Sequence, residues 1–589
     1  MKKSMRLLAI LLAALMVVGI FAACAKQPAA PEQETKQEET KQEETKQEET
    51  KQEDTKQEET KQEEQPAEED INETGVLKLL WFQQIGVDTL FEDPWQDEQS
   101  LYPAMIFDSL LHEENVTRKK IPGLASEWTV SDDLKTFTFT MRDDAFWSDG
   151  EPVTAEDVLW TFNTECINPT ANYQGNLKKI VGYEEYRNGE ADSLAGLTID
   201  GNKIIVETVD PAPLYERDLG GLKILPSHLL KDVAPADLDS YAPYWSKPVG
   251  CGQYVIDQVS FPDYFTAVRN DNYYGEKAGI KNVQFVSYDA GGNDAVVAAI
   301  INGDIDYCYG NAVNDNVVAE NVVSQNPDVV KVVMAGTYTR FFAFNIDQRS
   351  DGNNKPDLAK KEVRQAFNLI IDQPTIASFY GTQGTAFSTM TNPGIIAYNK
   401  DIPLATKDIA AAKALLDEAG FDYSQTIDIA YYYDDATTAD IMALLTQDFA
   451  EAGITVNAFL LQGDLGTLIY TDKNYDLLYA AGGFSTDFPC SFYNKLMANT
   501  QYNFIGDEET RVAVFDALYK TYESTLDNDA RREIGYQLQA LDAEYRYFIP
   551  AYGLNSIILY NGAHVSIPES CFQGTGVSNF LFEDWSLVG

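Results

Sequence analysis

The pattern that most limits this chain is a repeated change of apolar period, from that of a helix to that of a strand. Ala410–Ala419 reads as a helix that stops at Gly420, a residue able to take the left-handed C′ conformation. A second helix, Ile441–Ala452, ends at Gly453 and runs into the strand Ile454–Phe459. Upstream, Phe137, Phe139 and Met141 alternate with threonines, as in a half-buried strand. Lys203–Thr208 and the apolar run Leu77–Phe82 read as further strands, and Leu101–Leu111 has helical spacing. Thr154 with Asp157 three residues later is close to a capping box and opens another helix. Strands interleaved with helices predict an α/β architecture with largely covered sheets.

The first 70 residues stand apart from this pattern. Lys36-Gln37-Glu38-Glu39-Thr40 recurs every five residues as far as Gln65, with Asp54 replacing Glu once. A segment with no apolar side chains beyond a few alanines cannot offset the entropy of ordering. A solvated helix is the competing reading, but a five-residue period drifts off the helical one and sets Glu39 against Glu43 at i,i+4. Residues 24–70 are therefore expected to form a disordered acidic tether, averaging roughly 35–40 Å end to end as a coil. Such reach suits a Gram-positive-type surface.

Ahead of the tether, Lys2, Lys3 and Arg6 precede the apolar run Leu7–Phe21 and then Ala22-Ala23-Cys24. A basic head, a short apolar middle and small residues before a cut are the parts of a secretory signal. The run is shorter than the roughly 20 residues that span a bilayer. The segment resembles a bacterial lipobox, with Phe21 where an aliphatic residue is usual. The expectation is a signal peptide over 1–23 and lipidation of Cys24, with acyl chains such as palmitate holding the protein to the cell membrane. A cut near Ala23 that leaves Cys24 a free thiol is the alternative.

Residues 71–589 exceed what one core supports and point to two or three domains. Of the net charge of −48, the tether contributes −10 (seventeen acidic and seven basic residues) and the signal +3, which leaves −41 to the body. That surface disfavours nucleic acid and anionic membrane as partners. It serves solubility first and could also steer a cationic ligand. The body's cysteines, Cys166, Cys251, Cys308, Cys490 and Cys571, are odd in number and far apart, so buried thiols are expected, with one bridge possible.

Catalytic motifs do not emerge. The histidines, His112, His228 and His564, are scattered, and HExxH, GxSxG and GxxxxGK[ST] do not occur. Asp347-x-Arg349-x-Asp351-Gly352 opens like a calcium loop but places Arg349 at a ligand position and Leu358 where the closing Glu belongs. His228 stands at a strand-to-helix junction, where capping or packing is expected. No enzyme activity, resident metal or cofactor is therefore predicted.

Residues 121–158 carry the most specific pattern. They include Ile121-Pro-Gly-Leu-Ala-Ser-Glu-Trp128, Met141-Arg142, Phe146-Trp147-Ser-Asp149-Gly150-Glu-Pro152-Val-Thr154-Ala155-Glu-Asp157-Val158. Pro248-Val-Gly250-Cys-Gly252-Gln-Tyr254, Arg269-Asn270, Gly303-Asp-Ile-Asp306, Ala343-Phe344-Asn345, Val363-Arg364-Gln-Ala366 and Tyr475-Asp476-Leu477 follow in order. Together they resemble the extracytoplasmic solute-binding proteins of family 5, the binding components of ABC importers for oligopeptides, dipeptides and nickel, over essentially all of residues 75–589. The resemblance implies an α/β, class II periplasmic-binding-protein-like fold of two lobes. The first lobe would combine 71–103, 246–340 and 552–589, with a subdomain inserted at 104–245. The second would span 341–551, with crossings near Arg340–Asn345 and Pro550–Tyr552. Most signature residues would be structural: Asp149-Gly150 a turn, Arg364 a surface pair.

By the same resemblance the protein would bind a solute between its lobes, most simply an oligopeptide, and pass it to the permease subunits of an ABC transporter, as an extracytoplasmic monomer that meets the membrane through its lipid alone. The peptide ammonium would meet an Asp shortly after the Tyr475-Asp476-Leu477 strand, which here is Asp487, in Gly483-Phe484-Ser485-Thr486-Asp487. Phe484 and Thr486 would flank it. From the first lobe, Trp81, Phe82 and Gln83 would face the ligand, although Trp81 also suits a core. The alternatives are a sugar or metal-chelate binder of the same fold, a surface adhesin or sensor partner without transport, and a surface peptidase.

Overall fold

The computed structural model describes residues 70–589 apart from 84–88, 92–100, 116–118, 172–173, 290–292, 310–312, 314, 347, 394–396, 484–489, 491, 494–514 and 573–579. The signal, Cys24 and the repeat segment lie outside the described residues.

The strand-patterned segments assemble mainly into one long mixed sheet of eleven strands among the described residues. At one end Val76–Gln83 runs parallel to Asn282–Asp289 from Val76↔Asn282 to Gln83↔Asp289, and parallel to Tyr307–Tyr309 on its other side. At the other end Thr426–Tyr431 is parallel to both Thr455–Leu460 and Leu477–Gly483. The middle belongs to two long antiparallel neighbours, Val329–Phe344 and Phe548–Asn561. These crossing strands are the continuous backbone links between the halves. A second sheet, Ala125–Val130, Thr136–Met141, Lys203–Glu207 and Leu197–Asp200, is wholly antiparallel. In it Phe137, Phe139 and Met141 are buried, as their alternation predicts.

Burial follows the same division. One core runs from Leu77, Leu79 and Phe285 into Phe137, Val158 and Phe162 without interruption, so the four-stranded sheet shares its apolar interior with the first half. A second core is drawn from residues between Phe341 and Tyr552. A smaller one packs Leu80, Ile300 and Val322 against Ile557 and Leu559.

Local chemistry accounts for most element ends. The helix Ile409–Ala419 is capped by the Asp408 carboxylate, which accepts from the Ala411 N–H, and closes at Gly420 with φ 65°. Ala436–Glu451 starts five residues earlier than its apolar spacing suggests, because Asp435 accepts from the Thr438 N–H. The helix read over Leu101–Leu111 ends at Ile106. Beyond it the Leu110 carbonyl accepts from the N–H groups of Gly123 and Ala125, and Leu111 enters a strand pair with Pro122. Long-range pairing wins there over local helical spacing.

The signature segments prove to be joints. Asp157 is buried and takes five bonds: from the Thr154 N–H and hydroxyl, the Trp147 Nε1–H, and the N–H and hydroxyl of Ser227. Gly250 and Gly252 run so close to the helix Leu101–Ile106 that a Cβ would come within 2.0 Å of the Ile106 oxygen and 2.4 Å of the Met105 oxygen. One expectation is corrected. Arg364 is not at the surface: it is only 2% exposed, donates to the Tyr545 and Leu358 carbonyls, and lies 4.5 Å from the Tyr547 ring.

Candidate functional site

The site is located by strand direction. Along Val76–Gln83 the chain advances toward lower numbers in its antiparallel relative Phe548–Asn561, since Leu79 pairs with Tyr307 and Tyr307 with Tyr560, followed by Tyr309 with Ile558. From the far side, Leu477–Gly483 starts opposite Phe344 and finishes opposite Tyr338, which itself pairs with Leu554. The carboxyl ends of the parallel strands in both halves thus head for one short stretch of the crossing strands, Leu554–Ile558. Ligand sites of open α/β sheets form outside such carboxyl ends.

The crossing strands are irregular there. Their register shifts between Met334 and Tyr338, and Gly336 passes so near that a Cβ would meet the Leu554 oxygen at 1.9 Å. Asn555 Oδ1 and Asn392 Nδ2 take up the Gly336 N–H and carbonyl. A bulge of this kind re-aims the side chains that follow it.

Those side chains are aromatic and cationic. Tyr338 and Arg340 share one face by strand alternation. Arg340 is opposite Tyr552 on one side and Ala481 on the other. Its guanidinium lies 3.5 Å from the Tyr433 ring centre and 5.6 Å from that of Tyr338. Tyr432 and Tyr433 follow directly on the strand Thr426–Tyr431 and share a hydroxyl–hydroxyl bond of 2.9 Å. The Tyr552 hydroxyl donates to Tyr380 at 2.7 Å and lies 2.9 Å from that of Tyr479. Burial pushes the Tyr380, Tyr433, Tyr479 and Tyr552 hydroxyls well up, so all stay neutral. Burial opposes the charge of Arg340, but the neighbouring Tyr433, Tyr552, Tyr479 and Tyr338 outweigh it and hold the pKa above its ordinary value.

The residues expected from sequence fall as follows. Trp81 is 7% exposed and packs edge-on to Phe265 at 5.1 Å, inside the first core. Phe82 and Gln83 pair through their backbones with Tyr288 and Asp289 at the carboxyl end of the strand. Their side chains, like the whole of Phe484, Thr486 and Asp487, lie outside the described residues. Arg340, Tyr433 and Tyr552 are not among the site residues expected from sequence, although Arg340 and Tyr552 bound the expected crossings. The one sequence signal for them is a lone cation in the apolar run Thr339-Arg340-Phe341-Phe342.

Other polar clusters are internally consumed. The three histidines each face one aspartate: His112 with Asp108, His228 with Asp149, and His564 with Asp306. Arg349 meets Asp351, Asp428 and Asp476. Among the described residues no group of His, Cys, Asp or Glu is placed to hold a metal, and no helix is long and apolar enough to cross a membrane.

Comparison with known proteins agrees with this geometry. A Brucella ovis protein named an ABC transporter peptide-binding protein is 26% identical over 401 residues, covering 66% of this chain and 67% of its own. The nickel-binding periplasmic protein of Escherichia coli is 25% identical over 389 residues, 63% and 69% of the two chains. The crystal structure of the ABC transporter substrate-binding protein CtaP from Listeria monocytogenes superposes with a TM-score of 0.67 at 21% identity, over 87% of this chain and 99% of that one. The fold is the two-lobed α/β fold of these binding proteins. Residues 119–504 match the bacterial extracellular solute-binding proteins, family 5 Middle, and the chain belongs to that family.

Proposed function

We propose that this protein captures an oligopeptide between its two lobes, closes over it and delivers it to the permease subunits of an ABC importer, making and breaking no covalent bond. The observation that carries the reading is the convergence of the parallel-strand carboxyl ends of both halves on one stretch of the crossing strands. A solute held there touches both halves at once, which couples binding to their closure. The aromatic surroundings favour varied apolar side chains at little conformational cost. In this reading residues 71–103, 246–340 and 552–589 form the first lobe, 104–245 its inserted subdomain and 341–551 the second lobe. Asp487 would accept the peptide ammonium, flanked by Phe484 and Thr486, with Phe82 and Gln83 approaching from the first lobe and Trp81 supporting them from its core. Lipidated Cys24 and the acidic tether would keep a monomeric receptor outside the cytoplasm and within reach of its transporter.

The test is mass spectrometry of whatever solute stays bound through purification. Recovered peptides support the reading. Recovery of glycans alone, or of a metal chelate alone, sinks it.

A further inference from the structure

Arg340 is an exception among the described arginines. Its Nε and Nη1 are both shut off from solvent and have no hydrogen-bond partner. Such donors are rare in folded proteins and each calls for an explanation. The fully buried arginines all have protein acceptors: Arg217 bonds Asn528, Arg349 its three aspartates, Arg364 two carbonyls, Arg531 Asn528 and the Thr525 carbonyl, and Arg546 the Ser388 carbonyl. In a body with a large acidic excess, the rings that lie against the Arg340 guanidinium are those of Tyr433 and Tyr338.

Position and geometry give the gap a use. Arg340 stands where the strand ends of both halves arrive, directly after the bulge at Gly336. One flat face of the guanidinium is occupied by Tyr433 at 3.5 Å. Stacking of this kind fixes the plane and leaves the rim, where every N–H points, to a planar acceptor. Neutral hydroxyls surround it and cannot neutralise it.

We propose that Arg340 receives a carboxylate of the bound solute, stacked in place by Tyr433 and approached along the guanidinium rim. The assignment rests on the peptide reading above and narrows it: the preferred solutes carry a carboxylate that reaches the centre of the crossing strands. That group is either the terminal carboxylate of the peptide or an acidic side chain.

Three pools of mixed-sequence hexapeptides separate these sources: one free of Asp and Glu with free carboxyl termini, the same pool amidated, and an amidated pool with one Asp or Glu in each peptide. Binding to the purified protein is read by native mass spectrometry and calorimetry. The free-acid pool, the acidic amidated pool or both should bind on the order of tenfold to a hundredfold tighter than the neutral amidated pool. Arg340→Gln should bind all three alike, and Arg340→Lys should keep part of the preference. Equal binding of the three pools by the unaltered protein overturns the assignment and leaves the peptide reading standing. A preference that survives in folded Arg340→Gln overturns it as well, because the carboxylate is then seated elsewhere. Binding of none of the pools removes the peptide reading and this assignment with it. The comparison within the unaltered protein decides the matter even where a variant fails to fold.

Discussion

Both carboxylate oxygens of Asp157 are saturated, and Oδ1 spans seventy residues of chain to take the N–H of Ser227 at 2.9 Å and its hydroxyl at 2.7 Å. This contact ties the helix Ala155–Ile167 to the short helix that begins at Ser227. Asp157→Ala strands five donors at this joint. The variant should lose about 3–5 kcal/mol of stability, read as a lower midpoint in urea unfolding. A loss under 1 kcal/mol would show that the joint does not matter.

Asp542 predicts a pH effect of definite sign. Burial raises its pKa to about 6, against the attraction of Arg546 and the bonds from the Tyr493 hydroxyl and the Met390 N–H. Because the folded pKa lies above the unfolded value near 4, the folded state holds this proton over an interval in which the unfolded state has released it. The cost is absent below about pH 4 and grows until about pH 6. Asp542→Asn keeps a carbonyl oxygen for both donors and removes the titration. The stability of the unaltered protein relative to this variant should fall by about 2–3 kcal/mol between pH 4 and pH 6.5. Parallel curves for the two proteins would refute the assignment.

At Gly336 the crossing strands approach too closely for any side chain. Gly336→Ala must push Leu554 aside or undo the bulge, at a cost of about 2 kcal/mol or more. Since Arg340 follows four residues on, ligand affinity should fall along with the unfolding midpoint. An unchanged midpoint would mean that the strands separate there without penalty.

The five described cysteines are all buried thiols, with no disulfide among them. Burial pushes the Cys490 thiol up to about 12 and Cys166 to about 11, where thiolate is scarce at neutral pH. The folded protein should react with a disulfide reagent over hours. In guanidinium five body thiols should react at once, and prior reduction should leave that number unchanged.

Much of the fold could be read along the chain because it is encoded over one or two helical turns. Gly420 as a cap and the Phe137–Met141 alternation need only near neighbours, and the structure keeps both. The failures share a cause of the opposite kind. Arg364 looks exposed in sequence, yet the Tyr545 carbonyl that buries it is 181 residues away. Leu110 has helical spacing, but its carbonyl is claimed by Gly123 and Ala125. The candidate site is the extreme case: Arg340, Tyr433 and Tyr552 become neighbours only through the register of strands that span both halves. Their residue types carry no pattern that period or spacing could detect.

The crossing strands are also hydrogen-bonded to one another. Two independent connectors would let the halves swing in any direction. A ladder that joins Phe341 to Pro550, Phe342 to Ile549 and Ala343 to Phe548 resists both sliding and splaying in its own plane, so it yields most readily by flexing about an axis that cuts both strands together. In the proposed closure, relative movement of the halves would reduce to a single angle. A solute seated at that axis, as proposed, would feel the whole travel of the protein as a change in one coordinate.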